Sequence, residues 1–265
     1  KSVTEPYGVR FFHGNWAEQA PLDWWNAVCI STNRLLEGIE KRDVLAISFS
    51  GQMMGCVCVD AEGNALRDAI IWADMRAYEQ EQRLREQIPM ERFYHITGHR
   101  PSSSYSIEKL MWVKDHEPDL YKKTFKMLHA KDYIVCKLTG NFISEYSDAS
   151  GTNAFDLNTF AWSEEIIEAS GVRRELFPDL VPSTHVAGTV TAEASKYCGL
   201  LPGTPVVIGG GDGMCASVGA GSISEGKTYN CLGSSSWIST TTRKPIFDKE
   251  YRTFNWAHVV PGLIG

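Results

Sequence analysis

The chain has 265 residues, 22% charged and 43% apolar, with a net charge of −6. This is a globular composition, neither disordered nor fibrous, and its acidic balance argues against a bulk electrostatic grip on nucleic acid or an anionic membrane. No apolar run approaches the roughly 20 residues that span a bilayer, and the opening Lys1-Ser-Val-Thr-Glu-Pro6 lacks the apolar core of a signal peptide.

In chain order, Pro21 opens a helix whose apolar residues recur at Trp24, Trp25, Val28 and Leu35. Three short strands are predicted next: Val44 to Ser48, Cys56 to Val59, ended by the turn Asp60-Ala-Glu-Gly63, and Ala69 to Trp72. Short strands joined by turns predict an antiparallel meander. Helices are predicted over Arg76–Ile88, Ser106–Asp115, Ala130–Leu138 and Glu164–Ala169, the last closed by Gly171. Thr204 to Ile208 reads as a strand running into Gly209-Gly-Gly-Asp-Gly213, followed by a small-residue helix, Met214 to Gly219, and a strand, Thr228 to Leu232. The order predicts a mixed α/β domain on one sheet, with a composition shift near Ser224-Glu-Gly-Lys227 as the candidate boundary.

Seven cysteines are scattered, at 29, 56, 58, 136, 198, 215 and 231. The odd count and wide spacing suit neither a zinc ribbon nor a disulfide scaffold, so they read as reduced thiols of a cytoplasmic protein packed as small apolar residues. There is no initiator Met, and the chain stops at Val260-Pro-Gly-Leu-Ile-Gly265 without a polar tail, so a segment of a longer polypeptide is expected.

Gly221-Ser-Ile-Ser-Glu-Gly-Lys-Thr228 matches the phosphate-loop string G-x-x-x-x-G-K-T. That loop works only between a strand and a helix whose N-terminus holds the phosphate, and here the predicted order is reversed, which favours a chance match. Gly211-Asp-Gly-Met-Cys-Ala216 fits the dinucleotide fingerprint, but no acidic residue follows at the ribose distance. The same loop sets one carboxylate, Asp212, among glycines at the carboxyl end of a strand, where a general base could reach a ligand. A helix N-cap is an equally good reading of that Asp. His95 and His99 are four apart, but Thr97-Gly98 interrupts the helix, so solvated turn histidines are expected rather than a metal pair. Met53 and Met54 between Gly51 and Gly55, and Trp72, read equally as core filling, while Asp74 and Arg76 can pair at a helix start.

Together these segments resemble the FGGY family of carbohydrate kinases, especially its xylulokinase-like branch. The resemblance is carried by Trp16-Ala-Glu-Gln-Ala-Pro-Leu-Asp-Trp-Trp25, Ser50-Gly-Gln-Met-Met-Gly55, Trp72-Ala-Asp-Met-Arg76, the K-L-x-W signature in Ser104-Tyr-Ser-Ile-Glu-Lys-Leu-Met-Trp112, Lys131-Asp-Tyr133, Leu138-Thr-Gly140, Ser147-Asp-Ala-Ser-Gly-Thr152, Gly209-Gly-Gly-Asp212 and Leu232-Gly-Ser-Ser235, all in family order. It implies an α/β, ribonuclease H-like (actin-like) fold with a mixed sheet and flanking helices. Residues 1–225 would form the sugar-binding domain, without its first strand, and 226–265 the start of the nucleotide-binding domain.

By that resemblance Asp212 is the base that takes the sugar hydroxyl proton as its oxygen attacks the γ-phosphoryl group of ATP. Gln52, Met53 and Met54 line the sugar, Trp72 stacks on its carbons, Asp74 and Arg76 shape that wall, and Ser104 and Tyr105 lie in a loop that closes over it. Gly233, Ser234 and Ser235 present backbone donors to phosphate. The implied ligands are a small sugar, such as a pentulose or polyol, and ATP with Mg²⁺. No metal ligand is expected within this segment, no nucleic acid or membrane partner is implied, and a homodimer is compatible. The family's D-x-G-T strand would precede Lys1 and its adenosine motifs follow Gly265, so this segment alone is expected to turn over ATP poorly. A non-catalytic sugar-binding module and a phosphate-loop NTPase stand as alternatives. Met54 replaces the His, and Gly213 the Asn, usual in xylulokinases; both changes remove hydroxyl-reading side chains, so D-xylulose is expected not to be the best substrate.

Overall fold

The computed structural model describes residues 1–233 and 236–265. Its centre is set by Cys56-Val-Cys-Val59, an apolar run without alternation, as expected of a strand covered on both faces. Val57–Val59 pairs antiparallel with Lys126–Leu128. Cys56, Cys58 and Met127 face one cluster of buried side chains, and Val57, Val59 and Leu128 face another. The sheet is thereby the middle layer between two sets of helices. On one side Ser106–His116 packs Ile107, Leu110 and Met111 against Phe93, Phe155, Ile166 and Phe177. On the other, Pro21–Leu36, Ala130–Thr139 and Ala192–Cys198 bury Trp24, Trp25, Tyr133, Ile134 and Cys198.

The predicted meander is corrected. Ile47 bridges Val206, and Ser50–Gly51 pairs with Gly210–Gly211, both in parallel. The segment from Val44 onward thus joins a strand from far along the chain rather than its sequence neighbour. Cys56 does bridge Ile70 antiparallel, but Ala69–Ile70 takes Glu18 and Gln19 as its strand partners. The helix predicted from Arg76 begins at Tyr78, because the Asp74 carboxylate accepts the Arg76 N–H at 2.9 Å and holds a turn there. His99 is buried rather than solvated, behind the left-handed Gly98 that ends the helix Met90–Thr97. All seven cysteines are free thiols, five of them buried.

The parallel pairing decides where the site lies. It sets the loop Gly51-Gln-Met-Met-Gly55 beside Gly209-Gly-Gly-Asp-Gly213, both leaving the carboxyl ends of adjacent parallel strands, the edge at which α/β sheets accept ligands. Gly209 makes the approach feasible: its φ is +74°, and a Cβ there would sit 1.9 Å from the Phe49 carbonyl oxygen. The phosphate-loop-like string lies between the helix Asp212–Gly219 and the strand Thr228–Leu232, so no helix N-terminus follows its Lys227-Thr228.

Candidate functional site

Asp212 is the first residue of its helix; Gly211 holds the N-cap position and no side chain caps the end. The Asp212 carboxylate is therefore not used as the N-cap. It is exposed, and among the described residues its one hydrogen bond is from the adjacent Gly213 N–H at 2.9 Å. Partial desolvation by the surrounding loops raises its pKa above the usual carboxylate value; the Gly213 N–H opposes this and the Asp148 charge adds to it. A raised pKa makes a carboxylate a better proton acceptor.

Met53 supplies the contact between the two loops. It is buried, and a Cβ on Gly211 would lie 2.5 Å from its sulfur. Met54, half-buried, is in the left-handed region at φ +62°, which is uncommon for an unbranched side chain. Gln52 donates to Gln19 Oε1 at 2.8 Å and lines a 390 Å³ groove with Trp24, Phe49, Gly51 and Lys131. Neither Asp212 nor Trp72 lines that groove.

Trp72 is 52% exposed, an indole left on the surface where burial would be the default for so large an apolar group. Directly behind it, Asp74 and Arg76 are enclosed. Asp74 accepts from Ala17 N, Arg76 N and the Arg76 guanidinium, and Arg76 also pairs with Glu18 at 2.9 Å. The guanidinium carbon lies 3.9 Å from the Trp16 ring centroid and 4.9 Å from that of Trp112. These two residues thus support the Trp72 turn from inside and are not open to a ligand. Ser104 is half-buried, its hydroxyl 3.1 Å from that of Ser102. Tyr105 is buried, stacked on His99 with centroids 5.1 Å apart, and burial raises its phenol pKa. Gly233 is exposed at the end of the strand Thr228–Leu232; Ser234 and Ser235 lie outside the described residues. That strand reaches the Asp212 loop through Tyr229, whose hydroxyl donates to the Gly213 carbonyl at 3.2 Å.

Beneath the loops is a buried charged cluster that the sequence marks only as motif letters. Lys131 Nζ donates to Asp132 at 2.5 Å and lies 3.3 Å from Asp148 and 4.0 Å from Glu145. Burial would pull the Lys131 pKa down, but the three carboxylates outweigh it and the ammonium is held charged. His129 bridges Asp148 and the Ser106 hydroxyl. Glu145 accepts from the hydroxyls of Ser147 and Ser183, and Ser147 Oγ in turn accepts the Gly211 N–H at 3.0 Å. A chain of hydrogen bonds thus runs from this cluster to the peptide just before Asp212. Among the described residues, no group of three His, Cys, Asp or Glu side chains converges to hold a metal ion, and no helix is long and apolar enough to cross a membrane.

Residues 1–219 match the family model described as the FGGY family of carbohydrate kinases, N-terminal domain. The chain is 36% identical over 225 residues to a xylulose kinase of Bacillus subtilis (strain 168), covering 84% of this chain and 45% of that protein. It is 32% identical over 258 residues to a xylulose kinase of Escherichia coli (strain K12), covering 97% and 53%. The crystal structure of a xylulose kinase from Rhodospirillum rubrum superposes with a TM-score of 0.92 at 26% identity, covering 98% of this chain and 53% of that one. The chain spans about half the length of the curated relatives it matches. Its fold is of the α/β, ribonuclease H-like class that these kinases share.

Proposed function

The chain belongs to the FGGY family of carbohydrate kinases, and from that membership we propose that it provides the sugar-binding lobe and the catalytic carboxylate of an ATP-dependent sugar kinase. The single observation that carries the reading is Asp212: an exposed carboxylate, used neither as a cap nor, among the described residues, in an ion pair, at the carboxyl edge of the parallel strands and next to the Gly211 that packs on Met53. The reaction is phosphoryl transfer from MgATP, the second substrate, to a sugar alcohol. Asp212 accepts the hydroxyl proton as that oxygen attacks the γ-phosphorus, and ADP leaves with the bond to the β–γ bridging oxygen. Trp72 offers an apolar face to the sugar carbons, and Gln52, Met53, Met54, Ser104 and Tyr105 belong to the loops around it. Asp74 and Arg76 act on the sugar only through the turn they hold. Gly233 and the two residues after it would meet phosphate.

The division at about residue 225 is part of the proposal: residues 1–225 bind sugar and 226–265 begin the nucleotide-binding lobe. It is supported by the family match, which ends at 219. A panel of ketoses and polyols, assayed with ATP on the full-length gene product and with Asp212→Asn beside the wild type, tests the whole reading. Phosphorylation of at least one sugar that Asp212→Asn abolishes is expected. Sugar binding without phosphorylation in the wild type would replace the proposal by a binding module. A clear preference for D-xylulose would overturn the expectation drawn from Met54 and Gly213.

A further inference from the structure

Lys109 points inward from the helix Ser106–His116 and is wholly buried. Unlike Lys131, it has no carboxylate within ion-pair distance among the described residues; its nearest oxygens are three backbone carbonyls. Its Nζ donates to Met54 O at 2.7 Å, Ile71 O at 2.8 Å and Ser104 O at 2.5 Å. An ammonium carries three N–H donors, so donors and acceptors match one to one.

The three carbonyls belong to three separate segments. Met54 is in the loop that packs on the Asp212 glycines, Ile71 immediately precedes the exposed Trp72, and Ser104 precedes the stacked Tyr105. We propose that Lys109 is a positioning residue for the sugar: by tying these three segments to one point it builds the sugar-facing wall as a unit. The inference rests on the sugar-kinase reading above.

Two observations make this more than an internal hydrogen bond. Met54 sits in a left-handed conformation that costs on the order of 1–2 kcal/mol and persists only where its surroundings hold it. The Lys109 bond to its carbonyl is such a hold. A buried cation without a counter-ion is also unfavourable: desolvation pulls the Lys109 pKa down to about 7, against the charges of Asp74, Cys56 and Glu108, with Arg76 adding to the depression. An apolar side chain would fill the same space without that cost but would leave the Met54 and Ser104 carbonyls short of this donor and the Ile71 carbonyl with the Asp74 N–H alone.

The test uses Lys109→Met, which keeps the length and loses all three donors, and Lys109→Gln, which keeps two. Hydrogen exchange of the chain itself is expected to speed up at least tenfold, together, in 52–55, 71–73 and 103–105, with 126–139 unchanged. In the full-length gene product, using the sugar that the panel phosphorylates best, the sugar KM is expected to rise at least tenfold in Lys109→Met and less in Lys109→Gln. The KM for ATP is expected to stay within about twofold. An unchanged sugar KM, or exchange that rises uniformly through the helix core, would overturn the proposal and leave Lys109 a stability residue. If neither variant folds, wild-type exchange with sugar added decides: joint protection of the three segments supports the coupling, and protection of one alone defeats it. Loosened segments in a protein that phosphorylates no sugar would leave the clamp standing and remove the kinase reading.

Discussion

Met54 and Gly213 differ in how readily each position would take another side chain. Met54 has φ +62°, where His is tolerated better than a longer unbranched chain. Gly213 has open space: a Cβ there would meet nothing nearer than the Met53 sulfur at 4.0 Å. The double substitution Met54→His with Gly213→Asn is thus sterically allowed and adds two hydroxyl-reading groups. At about 1 kcal/mol per hydrogen bond, kcat/KM for D-xylulose should rise on the order of ten- to thirtyfold in the full-length gene product. A coupled ADP-release assay reads it, and no gain would mean that neither position faces the sugar. Asp212→Asn is the converse case. Among the described residues the carboxylate bonds only its neighbour's N–H, so the melting temperature should barely move while kcat falls about 10²–10⁴-fold, the usual weight of a positioned general base. Equal losses in stability and rate would point to a structural carboxylate instead.

Between Trp72 and Tyr78 a short turn carries the Trp72 wall, and its stability is electrostatic. Arg76 is shared by Asp74 and Glu18, and the side chains of all three are nearly or wholly buried. Arg76→Met would keep the packing against Trp16 and Trp112 but leave two buried carboxylates short of their cation, a loss of about 3–5 kcal/mol in denaturant titrations. A loss below ~1 kcal/mol would mean that Arg67 and Arg10, which also pair with Glu18, compensate. The helices Ser106–His116 and Ala130–Thr139 were legible because apolar spacing survives local inspection. The pairing of Ile47 with Val206 was not, since register between distant segments leaves no mark on either one. The same limit governs the site. Asp212 and the twin methionines stand out by their glycine surroundings, whereas Lys109 and Lys131 carry no mark beyond the motif letters they occupy. Only the tertiary surroundings turn them inward, against the usual exposure of lysine.

At the scale of the whole molecule, residues 253–256 close back on the end of the helix Met90–Thr97. The Tyr94 hydroxyl bonds Thr253, Asn255 N–H donates to the Gly98 carbonyl, and Trp256 lies 4.2 Å from the His99 ring. His99, buried at this junction, and Glu108, buried against Ser102 and Asn153, are titratable groups whose effects on stability have opposite signs. Burial lowers the His99 pKa from 6.5 to about 3, so the unfolded chain binds the extra proton between those values and stability rises with pH across that window. Burial raises the Glu108 pKa from 4.5 to about 8, despite hydrogen bonds from Asn153 and Ser102, so the folded chain holds the extra proton and stability falls as pH rises from 4.5 through 8. From pH 4.5 to 6.5 the two slopes cancel. Of these two, only the Glu108 slope remains above 6.5, about 2 kcal/mol by pH 8 at 1.36 kcal/mol per unit, and above pH 7 the lowered Lys109 pKa opposes it. Glu108→Gln removes it: relative to wild type, the variant should gain stability steadily from pH 4.5 to 8 and show no alkaline decline from this group. Guanidinium unfolding at half-unit pH steps measures the difference, and wild-type and variant curves that run parallel would mean that Glu108 reaches solvent and ionises normally in the folded chain.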